Sequence, residues 1–346
     1  MSTLETNSIG KYNGNNVSID DALKLKSYTT TQRDALTSVA GDTIYNSTTN
    51  KPQYYDGSAW QEMAGAGFDT SFLVIAGGGG GGGHNNAGAG GAGGYRNSYA
   101  SETSGGGNTT EEVFKTLKST NYTVTVGAGG TGVGTNTSRG GSGNDSFYGN
   151  LVSVGGGSGK SGYTAADKDG GGVGGSGGGN SFDGVTSGYS KGVTNQGFAG
   201  GVGTYSSPYE GGGGGGASEA GNTDAEGAGG DGLSSSITGS AVTRAGGGSG
   251  ASSAGSTISG GDGGGGNGGY SGNSPTAGTA NTGSGGGGGG VSGTTGGNGG
   301  SGIVILRYAT ADATITVGAG LTSSSATDGS DTVVSFTAGT GTVSFA

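Results

Sequence analysis

The chain has 346 residues, of which 95 are glycine, three are proline and none is cysteine; 28% are hydrophobic and the net charge is −10. These figures exclude a disulfide framework, a large oily core and a basic surface suited to nucleic acid. They also exclude collagen, which needs an unbroken glycine triplet and abundant proline.

The first residues, Met1–Asn7, lack a basic segment followed by an apolar one, so no secretion signal is expected. No apolar run is long enough for a membrane span, and no membrane insertion is expected. Val17–Leu25 alternates and reads as a strand, and Thr31–Thr37 reads as a short helix with a threonine cap. Asp42–Asn46, Pro52–Tyr55 and Ser58–Glu62 read as a three-stranded meander with a turn at Asp56-Gly57. Trp60, with Tyr54 or Tyr55, is its expected core. A unit this small is marginal alone and needs copies of itself or a partner.

At Phe72–Ala76 a strand-like stretch runs straight into seven glycines, Gly77–Gly83, and the chain leaves the glycine zone through a second apolar stretch, Gly302–Tyr308. Six glycines precede Gly77 and five follow Gly302; the rest crowd between them. A flexible linker does not ordinarily start from a buried strand. Local triplets (171–179, 260–265, 296–301) point to a threefold helix without internal hydrogen bonds, rising about 3.1 Å per residue. If such helices pack side by side, one enclosed on every side must be glycine throughout, and one at the rim can carry side chains on a single face. The all-glycine runs 77–83, 211–216 and 285–290 are therefore expected at the centre, with Gly77, Gly80, Gly83, Gly211, Gly214, Gly285 and Gly288 buried, and the triplet runs at the periphery.

A disordered linker is the competing reading. Ordering a glycine costs about 1–2 kcal/mol or more. A net backbone hydrogen bond returns about 0.5–1.5 kcal/mol, and Cα–H···O contacts about 0.5–1 kcal/mol. The balance is close, so order depends on cooperativity and on the apolar fences at 72–76, 122–126, 151–154 and 303–308. With those fences an ordered bundle is the favoured reading. Beyond it, 314–317, 332–337 and 342–345 alternate between glycine turns and read as a small β cap. The expected fold is thus mostly irregular and β: a polyglycine-II bundle (68–308) between an N-terminal β-meander with a short helix (1–67) and a C-terminal β cap (309–346), with no large α-helical content.

Several chemical motifs fail on inspection. Val154–Ser161 resembles a phosphate-binding loop, but valine occupies the position of its first glycine and no helix pattern follows. Gly229–Ser234 has a misplaced aspartate and no tandem repeat for a calcium-binding array. His84 is the only histidine, so neither a catalytic triad nor a histidine-rich zinc site can be built. Asp167, Asp169, Asp183, Glu210, Glu219, Asp224 and Glu226 offer carboxylates, but nothing pairs them for glycoside hydrolysis. No catalytic residue, metal or cofactor is expected. Loop aromatics carry more weight: Tyr95, Tyr163, Tyr189, Tyr205, Tyr209 and Tyr270 sit near glycine runs. Exposed tyrosines supply rigid contact area at low entropic cost, although plugs at the bundle ends would use the same residues. Tyr205–Glu210, just before a glycine run, is the preferred contact loop.

The junction Phe72–Gly79, the segment Tyr122–Gly130 and the exit Gly299–Tyr308 resemble the glycine-rich domain of bacteriophage tail fibres and adhesins. Gly41–Trp60 is similar to a short module of phage structural proteins, marine phages especially. The resemblance implies a polyglycine-II sandwich whose loops touch a bacterial surface protein or glycan. It also implies a virion component assembled in the host cytoplasm, often a homotrimer, attached to other tail or fibre proteins through its N-terminal module. A head fibre or decoration protein without a dedicated receptor is the alternative.

Overall fold

The computed structural model describes residues 24–63, 67–135, 139–162, 170–183, 190–271, 273–290 and 293–346. The chain divides into two compact units, Met1–Gly65 and Ala66–Ala346. The described residues are mostly β with one short helix.

In the first unit β1 (Ser27–Tyr28) pairs in parallel with β2 (Thr43–Asn46), which continues antiparallel through β3 (Lys51–Tyr55) to β4 (Trp60–Glu62). Helix α1 (Thr30–Asp34) starts in a capping box, in which the Thr29 hydroxyl accepts from Gln32 N and the Gln32 side chain accepts from Thr29 N. Most of the strand expected at 17–25 lies outside the described residues. The expected aromatic core needs correction. The Tyr55 and Trp60 rings meet at 5.5 Å but stay half-buried, and Tyr54 is exposed. The buried positions are Ile44, Asn46 and Gln53. The Gln53 amide oxygen accepts from both Asn46 (3.0 Å) and Arg33 (2.9 Å), so hydrogen bonding satisfies an interior too small to be oily. At the turn, the Asp56 carboxylate accepts from the Ala59 and Ser58 amides, which hold its pKa far below the ordinary carboxylate value.

The second unit begins with β5 (Phe68–Ile75). Then follow β6 (Tyr95–Asn97), β7 (Phe114–Thr116), β8 (Tyr122–Thr125), β9 (Ser146–Tyr148), β10 (Leu151–Ser153), the hairpin β11 (Leu233–Ser235) and β12 (Val242–Arg244), and β13 (Ile303–Ala309). It ends with β14 (Ile315–Val317), β15 (Leu321–Asp328) and β16 (Asp331–Phe345). Apart from the hairpin these strands form one nearly closed, barrel-like sheet, ordered β10-β9-β8-β16-β13-β5-β6. The continuous apolar runs arise because β5 and β13 are buried on both faces. Phe72, Val74, Val304 and Leu306 pack with Phe336 and Phe345, while Leu73, Ile75, Ile303 and Ile305 pack with Tyr95, Ala92 and Ile237.

The C-terminal strands are less separate than the sequence suggests. The stretches expected at 332–337 and 342–345 are one strand, β16, which pairs β13 and β15 along its first half and β8 and β14 along its second. The cap is therefore woven into β13, at the exit of the glycine zone, and β8, within it, and 309–346 belongs to the same compact unit as 68–308.

Between the strands runs the glycine bundle. Gly77 and Gly80 donate to Asn144 and Gly141, Gly78 and Gly81 to Gly300 and Gly297, and Gly79 and Gly82 to Gly91 and Gly88. Their carbonyls accept, with the same period of three, from Gly156 and Gly159, from Gly130 and Val133, and from Gly286 and Gly289. All these bonds span 2.8 to 3.3 Å. Each helix has threefold geometry, so the 77–83 segment reaches six neighbours: it donates to three antiparallel ones and accepts from three parallel ones. Gly77, Gly80, Gly83, Gly211, Gly214, Gly285 and Gly288 are all buried. A methyl added to any of them would lie against a neighbouring carbonyl, those of Ala128, Thr131, Val133, Ala87, Gly90, Gly90 and Ala87 respectively.

Two expectations about this packing are overturned. Enclosure does not demand glycine at every position. Segment 87–94 bonds to six neighbours, yet carries fully buried Ala87, Ala89 and Ala92. The Ala92 methyl joins the apolar cluster under the sheet, and Ala89 takes the longest link of its segment, 3.2 Å to Gly212. Triplet runs are not confined to the rim either: 296–301 and 260–265 are partly exposed, but 174–180 is buried. There Ser176 fits because its hydroxyl donates to the Gly216 carbonyl (3.0 Å) instead of wedging it away.

Candidate functional site

Six glycine segments are continuous with strands: β5, β8 and β10 lead out into 77–83, 127–133 and 155–160, while 87–94, 140–145 and 296–302 return into β6, β9 and β13. The described turn residues 84–86 and 293–295 lie at the end of the bundle away from the sheet. His84, Asn85 and Asn86 make one such turn with left-handed backbone (φ 65°, 43° and 48°). Segment 211–216 runs parallel to 87–94, as the bonds Ala89 to Gly212 and Ala92 to Gly215 require, so the loop preceding it also lies at the far end.

That loop is Thr204–Glu210. Its feet are closed by backbone bonds between Thr204 and Glu210, and Tyr209 is tied to Ser253 through N to Oγ (2.9 Å) and O to N (3.0 Å). Tyr205 is 68% exposed and Tyr209 41%. With Phe182, from the neighbouring far-end turn, they form an aromatic trio. Phe182 and Tyr205 stack at 6.1 Å, and Tyr209 stands edge-on to both at 5.7 and 6.0 Å. Nothing in the sequence links Phe182 to Tyr205, about twenty positions on.

The other candidate aromatics part company. Tyr95 is wholly buried in β6 opposite Ile75, where burial raises its phenol pKa; it is a core residue and not a contact residue. Its place in a short strand between two buried faces is the physical reason. Tyr270 is half-buried, its backbone paired with Asn273. Tyr163 and Tyr189 lie outside the described residues, as do Asp167 and Asp169.

Beside the trio lies a groove of about 560 Å³ lined by Glu210, Asp224, Glu226, Asp231 and Asp262, with Ile258 and backbone between them. The Thr204 hydroxyl donates to Glu226 (2.9 Å) and the Ser252 hydroxyl to Glu210 (3.1 Å). Burial, with a further contribution from Glu226, raises the Glu210 pKa. Glu219, Asp224 and Asp231 bring carboxylate oxygens within 4.8 Å of one another, and burial raises the Glu219 pKa.

The loop-like motif at 154–161 has no free cradle. Gly156, Gly157, Gly159 and Lys160 spend their N–H groups on Gly77, Ser176, Gly80 and Gly179, so none is left for a phosphate. Lys160 is buried and paired with Asp183 at 2.7 Å. Among the described residues no helix is long and apolar enough to cross a membrane.

The glycine-rich domain family matches residues 56–309. The chain belongs to that family. The glycine-rich domain therefore takes in the meander's last strand, the whole bundle and β13, and stops short of β14–β16, on which its sheet depends. No curated protein and no solved structure matches the chain.

Proposed function

We propose that this protein is a non-enzymatic adhesin of a bacteriophage tail fibre, which recognises the host cell surface through loops at the far end of its glycine bundle. The observation that carries the reading is the pair of exposed tyrosines, Tyr205 and Tyr209, backed by half-buried Phe182 of the neighbouring turn, on a loop whose feet are bonded into the bundle. Rigid aromatic area on a rigid base binds with little ordering cost. The virion assignment rests on the resemblance of the entry and exit junctions and of Gly41–Trp60. On this reading the N-terminal unit joins other tail or fibre proteins, and the partner at the far end is a bacterial surface protein or glycan. Assembly takes place in the host cytoplasm. Several copies, as in a homotrimer, multiply weak contacts by raising effective concentration.

The test is adsorption of virions carrying Tyr205→Ala with Tyr209→Ala. The expected result is adsorption slowed about tenfold or more with the melting temperature unchanged. Unchanged adsorption, with antibody labelling on the head, would replace this reading by that of a decoration protein.

A further inference from the structure

We infer that the far-end surface takes a cationic partner, a lysine- or arginine-bearing segment of a host surface protein that lies across the aromatic trio and into the adjoining groove. This rests on the recognition reading above and names the chemistry of the partner.

Two independent features select the same charge. The first is the trio itself. Its ring faces carry the negative lobe of the aromatic quadrupole, which attracts ammonium and guanidinium groups. Tyr205 presents most of its surface to solvent, and no described cation covers it. Elsewhere the chain fills such positions from its own side chains: Arg307 lies 5.0 Å over Tyr99, and Lys26 lies 5.2 Å over Tyr28.

The second feature is the groove. Among the described residues five carboxylates line it and no lysine or arginine does. Among the described residues none of the five forms an ion pair, whereas Asp69, Glu111, Asp183, Asp328 and Asp331 each have a cation partner. The two features share one loop. Glu210 follows Tyr209 directly, and Thr204, next to Tyr205, pairs with Glu210 and donates to Glu226.

These features decide between partners. A neutral sugar donates hydroxyl hydrogen bonds to carboxylates but leaves their charge uncompensated, and an anionic polysaccharide would be repelled. A bare divalent ion has no use for three aromatic rings, and a groove of about 560 Å³ is sized for side chains. Arginine suits the surface best, because a planar guanidinium stacks on a ring and still donates to a carboxylate at its edge.

The test uses the full-length protein and a labelled peptide of alternating glycine and arginine, followed by fluorescence anisotropy. The structure requires saturable, salt-sensitive binding. The double variant Glu210→Gln, Glu226→Gln and the double variant Tyr205→Ala, Tyr209→Ala should each weaken it about tenfold or more. A charge-matched control, Glu112→Gln with Asp312→Asn at exposed sites, should bind like the wild type. A peptide with citrulline in place of arginine should not bind. Equal weakening by the control pair, or equal binding of the citrulline peptide, would overturn the proposal. Adsorption of the same variants separates the two readings. If the tyrosine pair loses adsorption while the glutamate pair keeps it, host recognition stands and the cationic partner falls. If neither pair matters, both fall.

Discussion

Phe72–Ile75 and Gly77–Gly83 lie one residue apart, are equally buried and are held by opposite means. The strand is buried because its side chains are apolar on both faces, and burying each contributes about 1.5–3 kcal/mol. The glycine segment has no side chains to bury. Its backbone bonds reach six neighbours, and what excludes water is the close approach of bare chains. The sheet should therefore fail when volume is removed and the bundle when volume is added.

The largest effect should come from testing that asymmetry directly. Gly80→Val puts a branched side chain against the Thr131 carbonyl. The second unit should lose more than about 4–5 kcal/mol, or not assemble, as read by chemical denaturation. Phe72→Ala, a deletion beside it, should cost about 3–5 kcal/mol and still give a folded protein. If Gly80→Val proves the milder of the two, the close-packed account of the bundle is wrong.

Hydrogen exchange sharpens the comparison further. The amides of Gly78–Gly82 should be protected as strongly as those of Leu73 and Val74, because all donate within one interior. Exchange at the rate of an unstructured peptide would favour the disordered-linker reading instead. A smaller effect is expected at Gly329, in the β15–β16 turn, where φ is +61° and there is open space for a methyl. Gly329→Ala should cost about 1 kcal/mol through backbone strain alone, well below Gly80→Val.

The smallest effect lies outside both regions, at Asp56. Its folded pKa is depressed, so its contribution to the first unit is present above the ordinary carboxylate pKa and is lost as pH falls through the native value. An NMR pH titration should find the Asp56 carboxylate still ionised when exposed carboxylates elsewhere have protonated. Titration alongside them would remove that contribution.

Much of this was legible in the chain. The fences at 72–76, 122–126, 151–154 and 303–308 are β5, β8, β10 and β13: β5 and β13 are buried on both faces and need no alternation to be recognised, whereas β8 alternates, with Thr123 exposed and Val124 buried. Strand β15, Leu321–Thr-Ser-Ser-Ser-Ala-Thr-Asp328, was not legible: six successive residues are exposed, so it has no apolar face and is a strand only because β16 pairs with it. Tyr95 misled for the converse reason. A tyrosine beside glycines looks like a loop residue until the three-residue strand that buries it is seen.

The sequence alone determined that side chains are excluded from the runs 77–83, 211–216 and 285–290, that apolar strands bound the glycine-rich zone, and that aromatic residues interrupt it. These follow from residue size and from local periodicity. Only the tertiary structure decided which helices are enclosed, where an alanine or serine is tolerated among them, and that Phe182 stands with Tyr205 and Tyr209 beside carboxylates that have no ion-pair partner among the described residues. A polyglycine helix has no side chains to mark its neighbours. Which chains lie beside which is set by backbone bonds between distant segments, and those leave no pattern along the sequence.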